Sequence, residues 1–206
     1  MCVVVISGGI GSGKTTVCRV LNETYGWPVY EADHKVKELY LSHPTLLTDI
    51  EKRLGLSCRD EKGTFIPQIL ADKIFTDVES LAAVESMVFP VLAADFQKWK
   101  QEHPDTEFYV LESATILEKP ELVSLGDFVV VVDAPMDVRT ARAALRNGLS
   151  IDEITNRARM QKLMNSISSG DIPEVVDYVI DNSGSPSDLL FKIAELVEFL
   201  RKTKML

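Results

Sequence analysis

The 206-residue sequence predicts a three-layer α/β/α fold on a five-stranded parallel sheet. Three observations carry that expectation. Short apolar, β-branched runs alternate with stretches of helical periodicity, the pattern of a parallel sheet covered on both faces. A glycine-rich segment, Gly8-Gly9-Ile10-Gly11-Ser12-Gly13-Lys14-Thr15, stands between the first such run and the first helix. Asp33, Glu112 and Asp133 fall at strand ends, the edge where ligands of such sheets bind.

Taken in order, Cys2-Val3-Val4-Val5-Ile6 reads as a buried strand, and Thr16 to Leu21 carries apolar residues at helical spacing. The segment between them fits G-x-x-x-x-G-K-[ST] without a gap, in the strand–loop–helix setting that a phosphate-binding P-loop requires. A nucleotide's phosphates need several donors converging on them, and backbone N–H groups converge only where side chains are absent. Glycines at 8, 11 and 13 permit the approach and the unusual backbone angles. The helix that follows offers free N–H groups and the positive end of its dipole. Lys14 is placed to reach the β- and γ-phosphates, and the Thr15 hydroxyl to ligate magnesium. The bland alternative is a glycine turn with no ligand.

Trp27 to Tyr30 is a short second strand, ending at Glu31-Ala32-Asp33. From His34 to about Gln101 the pattern is helical, with segments 35–41, 45–54, 67–75 and 78–99 and a turn at Asp60 to Gly63. Pro90 should start a new helix or kink the last of them. This stretch, about 34–104, is expected to be a helical substrate-binding lobe within one domain spanning 1–206. Glu107 to Leu111, Phe128 to Val132 and Asp177 to Ile180 are the remaining strands, the last closed by Asn182-Ser183-Gly184. Asp137 to Arg146 is a helix and Asn147-Gly148 a turn. Ser150-x-x-Glu153 is a capping box opening a helix to about Met164, and a last helix covers 187–201.

Composition narrows the function classes. No apolar run approaches the roughly twenty residues of a membrane span, and no basic segment precedes an apolar one at the start, so no signal peptide is expected. Cys2, Cys18 and Cys58 are scattered, without C-x-x-C, and support neither a disulfide framework nor a zinc site. A reduced, cytoplasmic protein is expected. The net charge of −9 argues against broad nucleic-acid binding.

Several side chains then carry chemistry. Asp33 suits orientation of an acceptor hydroxyl and removal of its proton; it also suits the N-cap of a helix beginning near His34. Glu112 stands where P-loop proteins keep the acid that holds magnesium or its waters, or is a satisfied edge residue. Arg139, Arg142 and Arg146 share one helix face, with Arg157 and Arg159 following. Such a cluster suits a lid, about 139–168, that closes on phosphates. Its alternative is a solvated face paired with Asp137 and Asp152. His34, His43 and His103 make no constellation.

Over nearly its whole length the sequence resembles the dephospho-CoA kinase family. The resemblance rests on Ser7 to Thr16 and on Val29-Tyr30-Glu31-Ala32-Asp33, similar to V-I-D-A-D. It continues in Val131 to Pro135 with Arg142 and Arg146, in Arg146-Asn147-Gly148-Leu149-Ser150, in Arg157 with Gln161, and in Val179-Ile180-Asp181-Asn182-Ser183-Gly184. It implies transfer of the γ-phosphate of ATP, with Mg²⁺, to the ribose 3′-hydroxyl of dephospho-CoA. It also implies nucleotide contacts at Gly9, Gly11, Ser12, Gly13, Lys14, Thr15 and Thr16, lid contacts at Arg142 and Arg146, and an acceptor-facing base at Asp33. Lys14, Asp33 and Arg142 would be the catalytic groups, Thr15 and Glu112 the metal ligands, and the protein a monomer. The departures lie mostly in the substrate lobe: Phe89-Pro90 replaces H-P, Pro67 and Ala71 replace basic positions, and Ser166-Ile167 replaces E-K. Glu112 to Glu118 keeps the acids of D-I-P-L-L-F-E without its proline. Two alternatives stay open, a kinase for another small acceptor such as a nucleoside or nucleotide and a non-catalytic ATP-binding regulatory homologue.

Overall fold

The computed structural model describes residues 1–148, 150–159 and 161–205, apart from the side chains of Asn147, Arg157 and Lys162. Five apolar runs form β1 (Cys2–Ser7), β2 (Val29–Glu31), β3 (Phe108–Glu112), β4 (Phe128–Asp133) and β5 (Tyr178–Asp181). The helices are α1 (Lys14–Tyr25), α2 (Ala32–Ser42), α3 (Leu46–Leu54), α4 (Pro67–Thr76), α5 (Val78–Gln101), α6 (Pro120–Val123), α7 (Met136–Asn147), α8 (Ile151–Arg159), α9 (Lys162–Ser168) and α10 (Pro186–Lys204). No helix among the described residues is long and apolar enough to cross a membrane.

The strands pair in parallel in the order β2-β3-β1-β4-β5. The central position of β1 follows from its side chains, since Val3 to Ile6 are buried on both faces. Register brings carboxylates together at the C-terminal edge: Ile6 lies opposite Glu112, Glu112 opposite Glu31, and Asp133 opposite Asp181. At the other edge, Asp127 accepts the Val3 amide and Asp177 the Val129 amide, each at 2.7 Å, which fixes the alignment of β1, β4 and β5.

The chain divides into two compact units, Met1–Glu31 with His103–Leu206, and Ala32–Glu102. In the first, alternate strand residues face opposite layers. Val4, Ile6, Val110, Val130 and Val132 meet Val17 and Leu21 of α1 and Ile193 and Leu196 of α10. On the other face Val131 meets Met164 and Ile167 of α9. These are the three expected layers. The second unit is helical. Its longest helix, α5, buries Ser80, Val84, Val88, Leu92 and Phe96 at i, i+4 spacing and touches α2, α3 and α4.

Three boundaries differ from the sequence reading. Pro90 does not begin a new helix, because α5 runs through it as one 24-residue element. Leu92 and Phe96, buried beyond it, hold the helix together where the missing N–H would end an isolated one. The helix expected to reach Met164 ends at Arg159, and α9 starts after Gln161, whose backbone leaves helical angles. Asp33 does not precede α2 as a cap but lies inside its first turn.

Asp77 is the N-cap of α5. Its Oδ1 accepts the Glu79 and Ser80 amides at 3.1 and 3.2 Å, and its Oδ2 accepts from Lys73 at 2.7 Å. The Lys73 contact foremost holds this carboxyl well below its ordinary range. The stability it adds is complete above the unfolded pKa and lost as pH falls toward the lower folded one. Below about pH 4, the melting temperature of the wild type is expected to fall more steeply than that of Asp77→Asn. Parallel acid limbs in a pH series would rule the contribution out.

Candidate active site

The loop between β1 and α1 is shaped by the chain around it. Gly13 takes φ 104° and Gly11 φ 74°, left-handed angles that close the loop onto the helix. The Ser12 amide donates to Gly9 O at 3.1 Å, and the Thr16 amide to Gly13 O at 2.9 Å. Lys14 opens α1, and its Nζ donates to Gly8 O at 2.9 Å, so the ammonium is folded back onto the loop. Thr15 is exposed in the same first turn, where the helix presents amides without intrahelical acceptors and its positive dipole end.

The glycines answer to protein neighbours as well as to a ligand. A side chain at Gly8 would collide with Val132 O, at Gly9 with the Arg139 guanidinium, at Gly11 with the Arg139 main chain, and at Gly13 with the Asn182 amide. The loop is thus clasped by the start of α7 and the end of β5. Asn182 is the strongest clasp: its Nδ2 donates to Ser12 O at 2.7 Å and its own amide to Asp133 O at 2.6 Å. Arg142 joins this network through Nη1, which donates to Asn182 O at 2.9 Å. Gln161 holds the other side, accepting the Ile10 amide at 2.9 Å.

The expected arginine face is divided by its surroundings. Arg139 is fully buried and Arg142 half-buried, while Arg146 is exposed. Burial pushes the Arg139 pKa down, partly offset by the nearby charge of Asp133. The segment named as a lid is anchored at both ends, by Arg139 and by Met164 and Ile167 against the sheet. The Arg157 side chain and Leu149 lie outside the described residues.

Glu112 ends β3 half-buried, and Glu31, passed over in the sequence, lies beside it across the β2–β3 pair. The Cys18 thiol, in α1, is pushed far above its ordinary pKa, by burial first and by the charge of Glu112 next; Lys14 pulls the other way and Glu31 adds to the rise. Cys18 therefore stays a protonated core residue, and Glu112, Lys14 and Glu31 share one electrostatic neighbourhood. Asp33 belongs to the other unit and is exposed there. Asn182 was visible only within its strand-end motif, because its partner Ser12 is 170 residues away.

A parallel sheet in this order, with a lysine-headed glycine loop between its central strand and first helix, defines a P-loop protein of the kinase type. The family model for dephospho-CoA kinase matches residues 2–188, and the chain belongs to that family. A dephospho-CoA kinase from Porphyromonas gingivalis is 32% identical over 95% of this chain and 93% of its own. A solved Thermus thermophilus protein is 26% identical with a TM-score of 0.78, covering 97% of both chains. The dephospho-CoA kinase from Campylobacter jejuni, at 19% identity, shares the fold with a TM-score of 0.65 and 98% of each chain covered.

Proposed function

We propose that the chain transfers the γ-phosphoryl group of ATP to the ribose 3′-hydroxyl of dephospho-CoA, the last step of coenzyme A biosynthesis. The observation that carries this reading is the phosphate loop with Lys14 at its head, in a chain of this family. The acceptor oxygen bonds to the γ-phosphorus as the bridging P–O bond to ADP breaks, and the hydroxyl proton passes to the Asp33 carboxylate. Lys14 and Arg142 stabilise charge on the transferring group. Gly9 and the residues from Gly11 to Thr16 hold the phosphates, and Arg146 adds its charge from α7.

Magnesium, when bound, offsets charge on the phosphates. The Thr15 hydroxyl and Glu112, with Glu31 alongside, would be the oxygen donors for it or its waters. So few protein ligands suit this ion, which keeps waters and phosphate oxygens as the rest of its shell. Free cysteines, two of them buried, fit a reducing cytoplasm, and we expect a monomer.

The test is ADP release from Mg-ATP with and without dephospho-CoA. Dephospho-CoA should stimulate it, and Asp33→Ala should lower the stimulated rate by about 10²-fold or more. Bound ATP with no stimulation would reject this acceptor and favour a different hydroxyl substrate or a regulatory role.

A further inference from the structure

We propose that Arg139 is a positioning residue of the phosphate loop: a buried cation set against Gly9 whose charge is neutralised by the polyanion the loop holds. The proposal rests on the nucleotide-binding reading above and extends it to a side chain outside the glycine motif.

Arg139 lies in the first turn of α7 and is fully buried. Its Nη2 donates to Asn165 Oδ1 at 3.3 Å and approaches the Met136 sulfur at 3.7 Å. Its Nε and Nη1 are shielded from solvent and have no hydrogen-bond partner among the described residues. The nearby Asp133 carboxylate spends Oδ1 on the Ser168 hydroxyl at 2.7 Å. A buried guanidinium whose acceptors are an amide oxygen and a thioether sulfur, with the Asp133 charge only partly offsetting its burial, is unfavourable, and an apolar chain of similar volume would serve the core better.

The position of the guanidinium supplies the reason for its charge. Nη1 and then Cζ occupy the space that a side chain at Gly9 would need, and the Arg139 carbonyl does the same at Gly11. The cation therefore abuts the backbone that wraps the phosphates. From its buried position such a charge acts on a polyphosphate across the intervening backbone with less screening than a surface charge. The same side chain packs against the loop at Gly9. Without ligand the charge burdens the fold; with a polyphosphate in the loop it is matched.

A purely structural arginine and a charge-supplying one predict opposite results for Arg139→Met, which keeps an unbranched chain and removes the charge. The measurements are the ligand-free melting temperature and the Kd for inorganic tripolyphosphate and pyrophosphate. Arg139→Met should melt at or above the wild type and bind tripolyphosphate about tenfold more weakly, the effect of one lost charge-assisted contact. The loss should be smaller for pyrophosphate, which carries less charge, and Arg139→Lys should retain most of the affinity. An unchanged tripolyphosphate Kd overturns the proposal, as does an equal loss for both anions, which would report loop shape alone. If Arg139→Met does not fold, Arg139→Gln beside Arg139→Lys makes the same comparison. A wild type that binds neither anion overturns the nucleotide reading itself. Wild-type binding that Arg139→Met reproduces overturns only the role given to Arg139.

Discussion

Lys14→Ala is expected to keep its fold and lose turnover by about 10³-fold or more, roughly 4 kcal/mol of transition-state stabilisation. The two halves of that expectation have separate causes. The ammonium donates to Gly8 O at 2.9 Å, within the loop it serves. Removing a bond of that kind costs the fold about 1 kcal/mol, and alanine is well suited to the first turn of a helix. In the proposed reaction the same ammonium would exchange the carbonyl for the phosphates and offset charge on the transferring group. The check is kcat from ADP release beside a melting curve. A variant within tenfold of wild-type kcat would remove Lys14 from the chemistry, and one that melts far below it would assign the loss to the fold instead.

Gly11→Ala is expected to abolish phosphate binding and to destabilise the protein by about 2–5 kcal/mol, while Gly9→Ala does much less. At Gly11 a methyl group meets the Arg139 main chain, and φ is 74°. The left-handed angle costs about 1–2 kcal/mol, and overfilling against backbone another 1–3 kcal/mol. At Gly9 the obstacle is the tip of the Arg139 side chain, which can turn aside. Gly9→Ala should therefore be rescued in part by Arg139→Ala, and Gly11→Ala should not. Denaturant midpoints for the three single and two double variants decide this. Equal damage at both positions would show that the loop, not its neighbour, sets the constraint.

Much of the fold is legible in the residues, for definite reasons. A run such as Phe128 to Val132 is short, β-branched and without a polar side to turn outward, which marks a strand covered on both faces. Ser150 and Glu153 mark a helix start because their bonds are local, and the structure has them at 2.8–3.3 Å. The phosphate loop is legible because its geometry needs glycine at fixed places. What local pattern cannot carry is partnership across the chain. Gln161 breaks the helical run to accept an amide 151 residues away. Asn182 looks like a turn residue until its bond to Ser12 is seen. Helical spacing puts Arg139, Arg142 and Arg146 on one face, but it cannot say that α7 presses its first turn against the loop and leaves Arg146 outside. Of the two outcomes expected at Pro90, a new helix does not occur, because a buried helix face outweighs one absent backbone donor.

The place of β1 in the sheet has a consequence for how the chain folds. Its residues 2–7 are hydrogen-bonded to strands at 108–112 and 128–133, so its ladder closes loops of more than a hundred residues. Ala32–Glu102 is a single continuous segment with neighbours close in sequence. Loop-closure entropy must be overcome before the central strand gains its bonds, whereas the helices gain theirs locally. During synthesis the most apolar strand is therefore made first and paired late. Until β3 and β4 follow, Val3 to Ile6 form an open-edged, adhesive segment that a growing chain must keep shielded.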